Sequence, residues 1–300
     1  MISILIPTYN YDCHELIEKL SIQCTELKHT NCLHSFEIIV ADDASTNTAV
    51  KQSLLETTAA MPGVRWILND HNLGRSRIRN LLLSEAKGDY VIFIDDDAKV
   101  VDDAYVKNYW ALRHEADVIC GDLVNPKKVM PGRELRYRYE LAAEPHRLAT
   151  HRAQRPYERF STFNFFARHE VIASIGFNEN IHEYGYEDVL MGFELERRKV
   201  KILHIDNPLQ HNGIDTNAEF LAKTQAALRT LAALPPDIQL KFKMAQYAQS
   251  LHKWHIAYAV GLGLKVISPL LKWQILSKHP SVGCFQIYKL AYYLNIKQLG

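Results

Sequence analysis

Acidic residues are absent from the last fifth of this 300-residue sequence, because all 34 of them lie at or before Asp237. Residues 238–300 hold eight lysines instead and carry +8, and since the whole chain carries +1, residues 1–237 carry −7. A near-zero total argues against an ordinary nucleic-acid binder, which has a large basic excess. The net charge of +1 is the sum of an acidic body, residues 1–237, and a basic tail, residues 238–300.

Paired cysteines and long apolar runs are also lacking. The five cysteines are odd in number and contain no CxxC pair, which suits a reducing cytosol better than a disulfide framework. The longest apolar run, Ile256–Leu264, is far below the roughly 20 residues of a bilayer-spanning helix. The first residues show no secretory-signal pattern. We therefore expect a cytoplasmic protein, or one held peripherally at the inner face of a membrane.

Apolar, β-rich runs alternate with helical patterns over the first 121 residues. Strands are predicted at 2–6, 36–42, 64–68, 90–95 and 117–121, and helices at 14–28, 48–60, 74–87 and 102–115. This alternation predicts an α/β fold in which a Rossmann-like sheet, mixed but mostly parallel, is flanked by helices on both faces.

The middle of the chain is less regular. Residues 122–160 are basic and contain four prolines, which indicates a long, partly helical excursion, and regular structure resumes between 161 and about 212. We expect a main domain at 1–232 and a basic, aromatic-rich helical extension at 233–300.

Polar clusters follow three of the predicted strands. They are Pro7-Thr8-Tyr9-Asn10, Asp42-Asp43-Ala44-Ser45 and Asp95-Asp96-Asp97. Because parallel strands end at one edge of the sheet, these groups should meet around one crevice. Three adjacent aspartates repel one another and raise one another's pKa. A divalent cation such as Mg²⁺ or Mn²⁺ removes that cost and commonly bridges substrate phosphates. Helix capping by aspartate is the ordinary alternative.

The order of four segments resembles the family 2 glycosyltransferases with the GT-A, or nucleotide-diphospho-sugar transferase, fold. These segments are ISILIPTYN, EIIVADDAS, NLGRSRIRN and YVIFIDDD, and the later FNENIHEYGYEDVLMGFEL is similar to an acceptor-side (W/Y)EDxDL motif. The resemblance covers about residues 2–215, and four motifs in the correct order are far more specific than any one alone.

The resemblance implies a set of nucleotide-binding residues. Tyr9 matches an aromatic residue that stacks on the nucleobase, and Asp43 matches a carboxylate that hydrogen-bonds the base. Arg75 and Arg79 share a helix face and match residues beside the base or diphosphate, whereas Arg77 points elsewhere and reads as a surface charge. The full set is Pro7, Thr8, Tyr9, Asp43, Arg75, Arg79, Asp95 and Asp96.

A metal site is implied by the DxD region together with a later histidine. Asp97 matches a ligand of Mn²⁺ or Mg²⁺, and His211 stands where several members of this fold class place a second ligand. Asp95 and Asp96 would serve the ribose or a metal-bound water. A structural or simply exposed histidine is the alternative for His211, and His204 is the competing candidate in the same region.

Asp188 matches the general base that removes a proton from the acceptor hydroxyl, and partial burial would raise its pKa toward a useful value. Its neighbour Glu187 would bind the acceptor or donor sugar. Alternatively, both are first-turn acids favoured by the helix dipole. Asn164 matches a small polar residue beside the donor sugar.

These matches imply a metal-dependent, inverting glycosyltransferase that uses a nucleotide-diphospho-sugar, a UDP-sugar by preference, and a glycan or glycolipid acceptor. One alternative is a nucleotidyltransferase on a similar sheet, although PTYNYD has neither the Gly nor the Lys of its usual phosphate loop. Another is a non-catalytic nucleotide-sugar-binding or membrane scaffold protein, which would not need Asp97, Asp188 and His211 together.

The tail shows its own helical patterns. From Leu240 to Leu262 apolar residues alternate at spacings of four and three, which predicts one helix face, with Gly261, Gly263 and Pro269 interrupting the helix. A second helix is expected at about 283–297. Lysine-rich, acid-free helices suit an anionic membrane surface. Packing on the body of the chain or in a homodimer is the alternative for residues 238–300.

Overall fold

The computed structural model describes residues 1–181 and 184–299, which form two compact units. The first comprises Met1–Pro126, Glu144–Asn180 and Glu187–Gly213, and the second comprises Lys127–Ala143, Ile181–Tyr186 and Ile214–Gly300. The boundary between 232 and 233 drawn from the sequence concerns where a catalytic domain ends, and it stays a prediction.

In the described part of the first unit, eight strands form a single sheet. In chain order they are β1 (Ile2–Thr8), β2 (Phe36–Asp42), β3 (Val64–Leu68), β4 (Tyr90–Ile94), β5 (Ala98–Val100), β6 (Val118–Val124), β7 (Asn164–Arg168) and β8 (Ile202–His211). Their order across the sheet is β3-β2-β1-β4-β7-β6-β8-β5. The pairs β2–β3, β1–β2, β1–β4 and β6–β8 are parallel, and β7 and β5 pair antiparallel to their neighbours. The predicted mixed, mostly parallel sheet is confirmed.

Helices cover both faces of this sheet, as the alternation of elements predicted. They are α1 (His14–His29), α2 (Thr48–Thr58), α3 (Arg75–Glu85), α4 (Tyr105–Leu112), α6 (Ala149–Arg152), α7 (His169–Ile175) and α8 (Glu187–Arg197), and α5 belongs to the second unit. Successive strand residues point to opposite faces, so Ile38 joins the core under α1 and α4 while Ile39 joins the core under α3 and α8. The strands are therefore buried on both sides.

Residues 144–160, which belong to the irregular stretch and to the first unit, are tied to the sheet by a buried arginine. The guanidinium of Arg152 donates hydrogen bonds to the backbone oxygens of Gly121 and Ile205 and to Nδ1 of His204. Nε2 of His204 in turn lies 3.0 Å from the backbone oxygen of Pro156. Both ring nitrogens of His204 are thus engaged within the protein.

The second unit is helical. Its helices are α5 (Glu134–Ala143), α9 (Asn217–Ala233), α10 (Pro236–Gln239), α11 (Lys243–Lys253), α12 (Ala257–Ile275) and α13 (Val282–Leu299). A capping box between Thr216 and Glu219 starts α9. Buried side chains of α9, α12 and α13 form the core of this unit, including Phe220, Ile275 and Phe285.

Two predictions for the tail are wrong. The helix predicted from residue 240 to 262 is broken after α11, where His255 adopts a left-handed φ of 58°, which ends a regular helix. Conversely, α12 continues through Gly261, Gly263 and Pro269. Packing of its buried side, including Leu271 and Ile275, outweighs the roughly 3 kcal/mol cost of an interior proline.

Candidate functional site

The carboxyl ends of β1, β2 and β4 meet at one edge of the sheet, as predicted. The backbone N–H of Tyr9 donates to Oδ2 of Asp96 across 3.2 Å, which joins the first and third polar clusters. Asn10 joins the first and second, because its N–H donates to Oγ of Ser45 and its Oδ1 accepts from the N–H of Asn47, each across 2.8 Å.

Asn10 was not selected from the sequence as a site residue, although its residue type carries a signal. It has a φ of 56°, in the left-handed region that asparagine tolerates better than most residues. Thr8 is buried at the end of β1, whereas the side chain of Tyr9 is 47% exposed. The ring of Tyr9 is therefore accessible to a flat ligand such as a nucleobase.

Asp43 organises the loop that leads into α3. Its two carboxylate oxygens accept hydrogen bonds from the backbone N–H groups of Leu73 (2.6 Å) and Gly74 (3.0 Å). Gly74 has a φ of 82°, which glycine adopts without a steric penalty, and it directly precedes the helix. Each carboxylate oxygen has a further lone pair, so Asp43 retains the capacity to accept from a ligand.

The arginines of α3 occupy different environments. Arg79 is buried and pairs with Asp95, with Nη2 and Oδ1 2.7 Å apart. Its Nε has no hydrogen-bond partner among the described residues. Arg75 is exposed. Arg77 is half-exposed and lies 3.4 Å from Glu179, which agrees with its interpretation as a surface charge.

Three consecutive aspartates lie between β4 and β5, and they differ in how their charges are balanced. Asp95 has Arg79 as its counter-ion. Burial, followed by repulsion from Asp97, raises the pKa of Asp96 to about 7. A cation bound at this cluster would lower that pKa and remove the cost of holding the carboxylates together.

Pairing of β5 with β8 brings Asp97 next to His211. Ala98 is opposite His211 in the ladder, and Nε2 of His211 lies 3.2 Å from Oδ2 of Asp97. The backbone continues this contact, because the N–H of Asn212 donates to the carbonyl oxygen of Asp97 across 2.9 Å. His211 is buried, and its ring is edge-on to Phe163 at a centroid distance of 5.5 Å.

This pair fits a divalent cation of the Mn²⁺ or Mg²⁺ class. It offers one carboxylate oxygen and one imidazole nitrogen side by side, and such ions also take oxygens from water and from substrate phosphates. Within residues 1–181 and 184–299, no group of three or more His, Cys, Asp or Glu side chains could hold a metal. Gly213 keeps the space open, since a Cβ there would lie 2.0 Å from Oδ2 of Asp97.

Asp188 lies in the first turn of α8, where two hydroxyl groups hold it. Its carboxylate accepts from Oγ1 of Thr162 (2.6 Å) and Oγ of Ser161 (3.2 Å). Burial raises the pKa of Asp188, while the Thr162 hydrogen bond and the charge of Arg79 act in the opposite direction. Glu187 and Asp95 add to the upward shift.

The two hydroxyl residues that hold Asp188 escaped the sequence analysis. Ser161 and Thr162 precede β7 in the segment FSTFN, and nothing in that segment relates it to a motif 26 positions later. The hydroxyl pair just before a buried strand was the available signal.

Asn164 is held inside the sheet. Its Oδ1 accepts from the hydroxyls of Tyr105 and Tyr109, each at 2.7 Å, and its Nδ2 donates to the backbone oxygens of Asp122 and Asn207. These four contacts use the full hydrogen-bonding capacity of the amide. The structure therefore gives Asn164 a scaffold position, and its contact with the donor sugar stays a prediction without support from this geometry.

Part of the sequence is similar to known proteins. The sequence profile described as Glycosyl transferase family 2 matches residues 3–176. A glycosyltransferase of Haemophilus influenzae, described as uncharacterized, is 33% identical over 99 residues, which are 32% of this chain and 29% of that protein. The matches span less than half of the length of each curated relative.

Solved structures share the fold at low sequence identity. The mannosyltransferase PcManGT of Pyrobaculum calidifontis, in complex with GDP-Man and Mn²⁺, has a TM-score of 0.57 and 14% identity, covering 99% of this chain and 86% of that one. Residues 1–349 of TarS from S. aureus, in complex with UDP-GlcNAc, have a TM-score of 0.52 and 16% identity, covering 99% and 90%.

Proposed function

The chain belongs to glycosyl transferase family 2, and on that premise we propose that it moves a sugar from a nucleotide-diphospho-sugar to a hydroxyl of a glycan or glycolipid acceptor. The observation that carries the proposal is the environment of the buried Arg79. Its guanidinium pairs with Asp95, and its charge also lowers the pKa of Asp188. This supports the proposal that the DxD segment and the Glu187-Asp188 segment serve one reaction.

The donor would bind along the strand ends. The exposed ring of Tyr9 is the platform for the base, with Pro7 and Thr8 shaping the end of β1. Asp43 and Arg75 would contact the base or the diphosphate, and Asp95 and Asp96 would face the ribose. An aromatic residue combined with an aspartate suits uracil, so we propose a UDP-sugar; TarS and PcManGT, with UDP-GlcNAc and GDP-Man, show that this fold takes more than one base.

Asp97 and His211 would hold Mn²⁺ or Mg²⁺. A bound cation would supply positive charge where the leaving diphosphate becomes more negative. The contribution of the chain is to keep both ligand atoms 3.2 Å apart. It also leaves space beside Gly213, where a Cβ would meet Asp97.

Asp188 would accept the proton of the acceptor hydroxyl. As that oxygen bonds to the anomeric carbon, the bond from this carbon to the diphosphate oxygen breaks and its electron pair leaves with the nucleoside diphosphate. One displacement from the opposite side inverts the anomeric configuration. Burial raises the pKa of Asp188, which makes its carboxylate a stronger base than an exposed one. Glu187 would contact a sugar hydroxyl.

A thermal-shift panel of UDP-, GDP-, dTDP- and CMP-sugars, with and without Mn²⁺, tests the donor half of this proposal. A donor present at 100 times its Kd should add roughly 2.7 kcal/mol to the free energy of unfolding. We expect the UDP-sugars to stabilise most, and more so with Mn²⁺. Equal stabilisation by all four classes, or by none, would contradict the proposal.

A further inference from the structure

The helix α12 exposes a continuous apolar face. Tyr258, Leu262, Val266 and Leu270 recur every four residues, and Trp273 lies on the same side. Their side chains are 53% to 75% exposed. The opposite side of α12 is already used, because Leu271 and Ile275 are buried in the core of this unit.

Further apolar groups are exposed on α11 and in the turn that follows it. Tyr247 and Trp254 are exposed, and Ile256 is exposed in the turn that precedes α12. By contrast, the aromatic residues of α13 are used internally, since Phe285, Tyr288 and Tyr293 are buried. The structure thus narrows the interaction surface predicted for residues 238–300 to the exposed side of α11 and α12, which we term the apolar face. Exposed apolar residues that share one helix face, as those of α12 do, mark an interaction surface.

Charge selects the kind of partner. Lys265 and Lys272 are exposed, and their spacing of seven residues places both along one edge of the apolar face. Lys253 is exposed at the end of α11, and no acidic residue follows Asp237. A second copy of the same face would bring lysine against lysine, which opposes self-association. Anionic lipid headgroups complement both the lysines and the apolar side chains.

The aromatic composition agrees with this partner. Tryptophan and tyrosine are enriched where headgroups meet acyl chains, because one end of each ring system is apolar and the other polar. None of the helices in the described part of the chain combines the length and hydropathy needed to cross a bilayer. An apolar helix face edged by lysines suits a helix that lies in the membrane plane instead.

We propose that the apolar face of α11 and α12 docks in the plane of an anionic lipid bilayer, with Trp254 and Trp273 in the headgroup region. This inference does not depend on the glycosyl-transfer reaction. Lipid binding and donor binding are measured separately, so failure of one leaves the other intact.

Vesicle flotation of the full chain tests the proposal directly. We expect binding to phosphatidylcholine vesicles that contain phosphatidylglycerol, weaker binding to pure phosphatidylcholine, and loss of binding as salt is raised. The double variant Val266→Asp/Leu270→Asp should reduce binding at least 10-fold. Its control is Ile22→Asp, a charge on an exposed apolar position of α1 outside this face. Lys265→Ala and Lys272→Ala should each weaken binding about 5-fold.

Tryptophan fluorescence reports whether the named rings enter the lipid. Brominated acyl chains should quench the wild-type chain, and Trp254→Phe/Trp273→Phe should abolish that quenching, because the remaining Trp66 and Trp110 lie partly buried in the first unit. Absence of flotation on anionic vesicles would overturn the proposal. Equal flotation of Val266→Asp/Leu270→Asp and the wild type would also overturn it. A third contrary outcome is that the wild type forms a dimer, the variant is a monomer, and vesicles bind neither protein.

Discussion

Nε2 of His211 lies 3.2 Å from Oδ2 of Asp97, although the two residues are 114 positions apart in the chain. The antiparallel pairing of β5 with β8 creates this proximity, since Ala98 and His211 are opposite each other in the ladder. The two metal-ligand candidates that the sequence suggested are therefore neighbours because β5 pairs with β8.

Replacing either member of this pair should weaken cation binding. We expect Asp97→Asn and His211→Ala each to raise the Kd for Mn²⁺ about 10- to 100-fold or more, because a substitution near a ligand alone has an effect of that size. Isothermal titration of Mn²⁺ checks this without turnover. His204→Gln is the control, since His204 is bound to Arg152 and Pro156. Unchanged Mn²⁺ affinity in both ligand variants would refute the site.

Adding one methyl group beside Asp97 should have a related effect. In Gly213→Ala the new Cβ would lie 2.0 Å from Oδ2 of Asp97, so that carboxylate must move. We expect weaker Mn²⁺ binding and lower transfer activity, together with some loss of stability because Cβ of Asp97 would also lie only 2.6 Å away. Gly283→Ala is the matched control, because its Cβ meets only Oγ of Ser281 at 3.6 Å. If Gly213→Ala and Gly283→Ala had the same Mn²⁺ affinity and transfer activity, the space beside Gly213 would not be functional.

Two substitutions should shift the low-pH limb of the pH–activity profile in opposite directions. The base form of Asp188 is the deprotonated one, so activity should fall as pH drops through its raised pKa. Thr162→Val removes a hydrogen bond that lowers this pKa and should shift the limb to higher pH. Glu187→Gln removes a charge that raises it and should shift the limb to lower pH.

Asp188→Asn, which removes the proposed base, is the reference variant for that experiment. General-base catalysis contributes typically 10²- to 10⁴-fold, so we expect a loss of kcat of about that size with donor stabilisation retained. Thr224→Val, which removes a hydroxyl bonded to Phe220 in the second unit, should leave the limb in place. A profile unmoved by Thr162→Val and Glu187→Gln would exclude Asp188 as the titrating base.

Breaking the Arg79–Asp95 pair should destabilise the fold. Arg79→Met leaves a partly buried carboxylate without its counter-ion, and we expect a loss of about 3 kcal/mol in the free energy of unfolding. The double variant Arg79→Met/Asp95→Asn should recover part of it. Denaturant unfolding in a double-mutant cycle measures the coupling, and the exposed pair Arg197–Glu194 should show a much weaker coupling. Equal coupling in the two pairs would contradict this account.

His204 should make the chain acid-sensitive. Burial lowers the pKa of folded His204 to about 4 from an ordinary value of 6.5, so between these values the unfolded chain binds more protons. The free energy of unfolding should therefore fall as pH drops from about 6.5 to 4, by about 3 kcal/mol in full. His204→Gln should flatten this dependence in unfolding curves taken at several pH values. The exposed His29→Gln should not, and a flat wild-type profile would refute the assignment.

The sheet was predictable because its strands are apolar on both faces. Strands expected at 36–42 and 64–68 appear with those limits, since buried runs such as EIIVAD leave little ambiguity. The proximity of the three strand-end clusters at one edge of the sheet was predictable for the same reason. The position of β7 between β4 and β6, antiparallel to both, was not readable, because strand order depends on pairing across distant segments.

Features set by tertiary contact were beyond the sequence pattern. The basic composition of its segment suggests a solvated charge for Arg152, yet this residue is buried and hydrogen-bonded to five partners, including His204. The break between α11 and α12 occurs at His255, which carries none of the usual glycine or asparagine signal. Thr162 likewise gains its role only when the chain brings it to Asp188.

The edge position of β5 bears on how the chain matures during synthesis. Among the strands of the described residues, β8 alone pairs with residues 98–100, and β8 begins at Ile202. At about 5 to 20 residues per second, this short strand stays unpaired on the ribosome for about 5 to 20 seconds. The part of the crevice proposed to bind the nucleotide, built from β1, β2 and β4, is synthesised first, and the part proposed to bind the cation is completed later. Arrested nascent chains with residues 1–200 or 1–240 exposed should differ accordingly in Mn²⁺ binding, and equal binding would contradict this order.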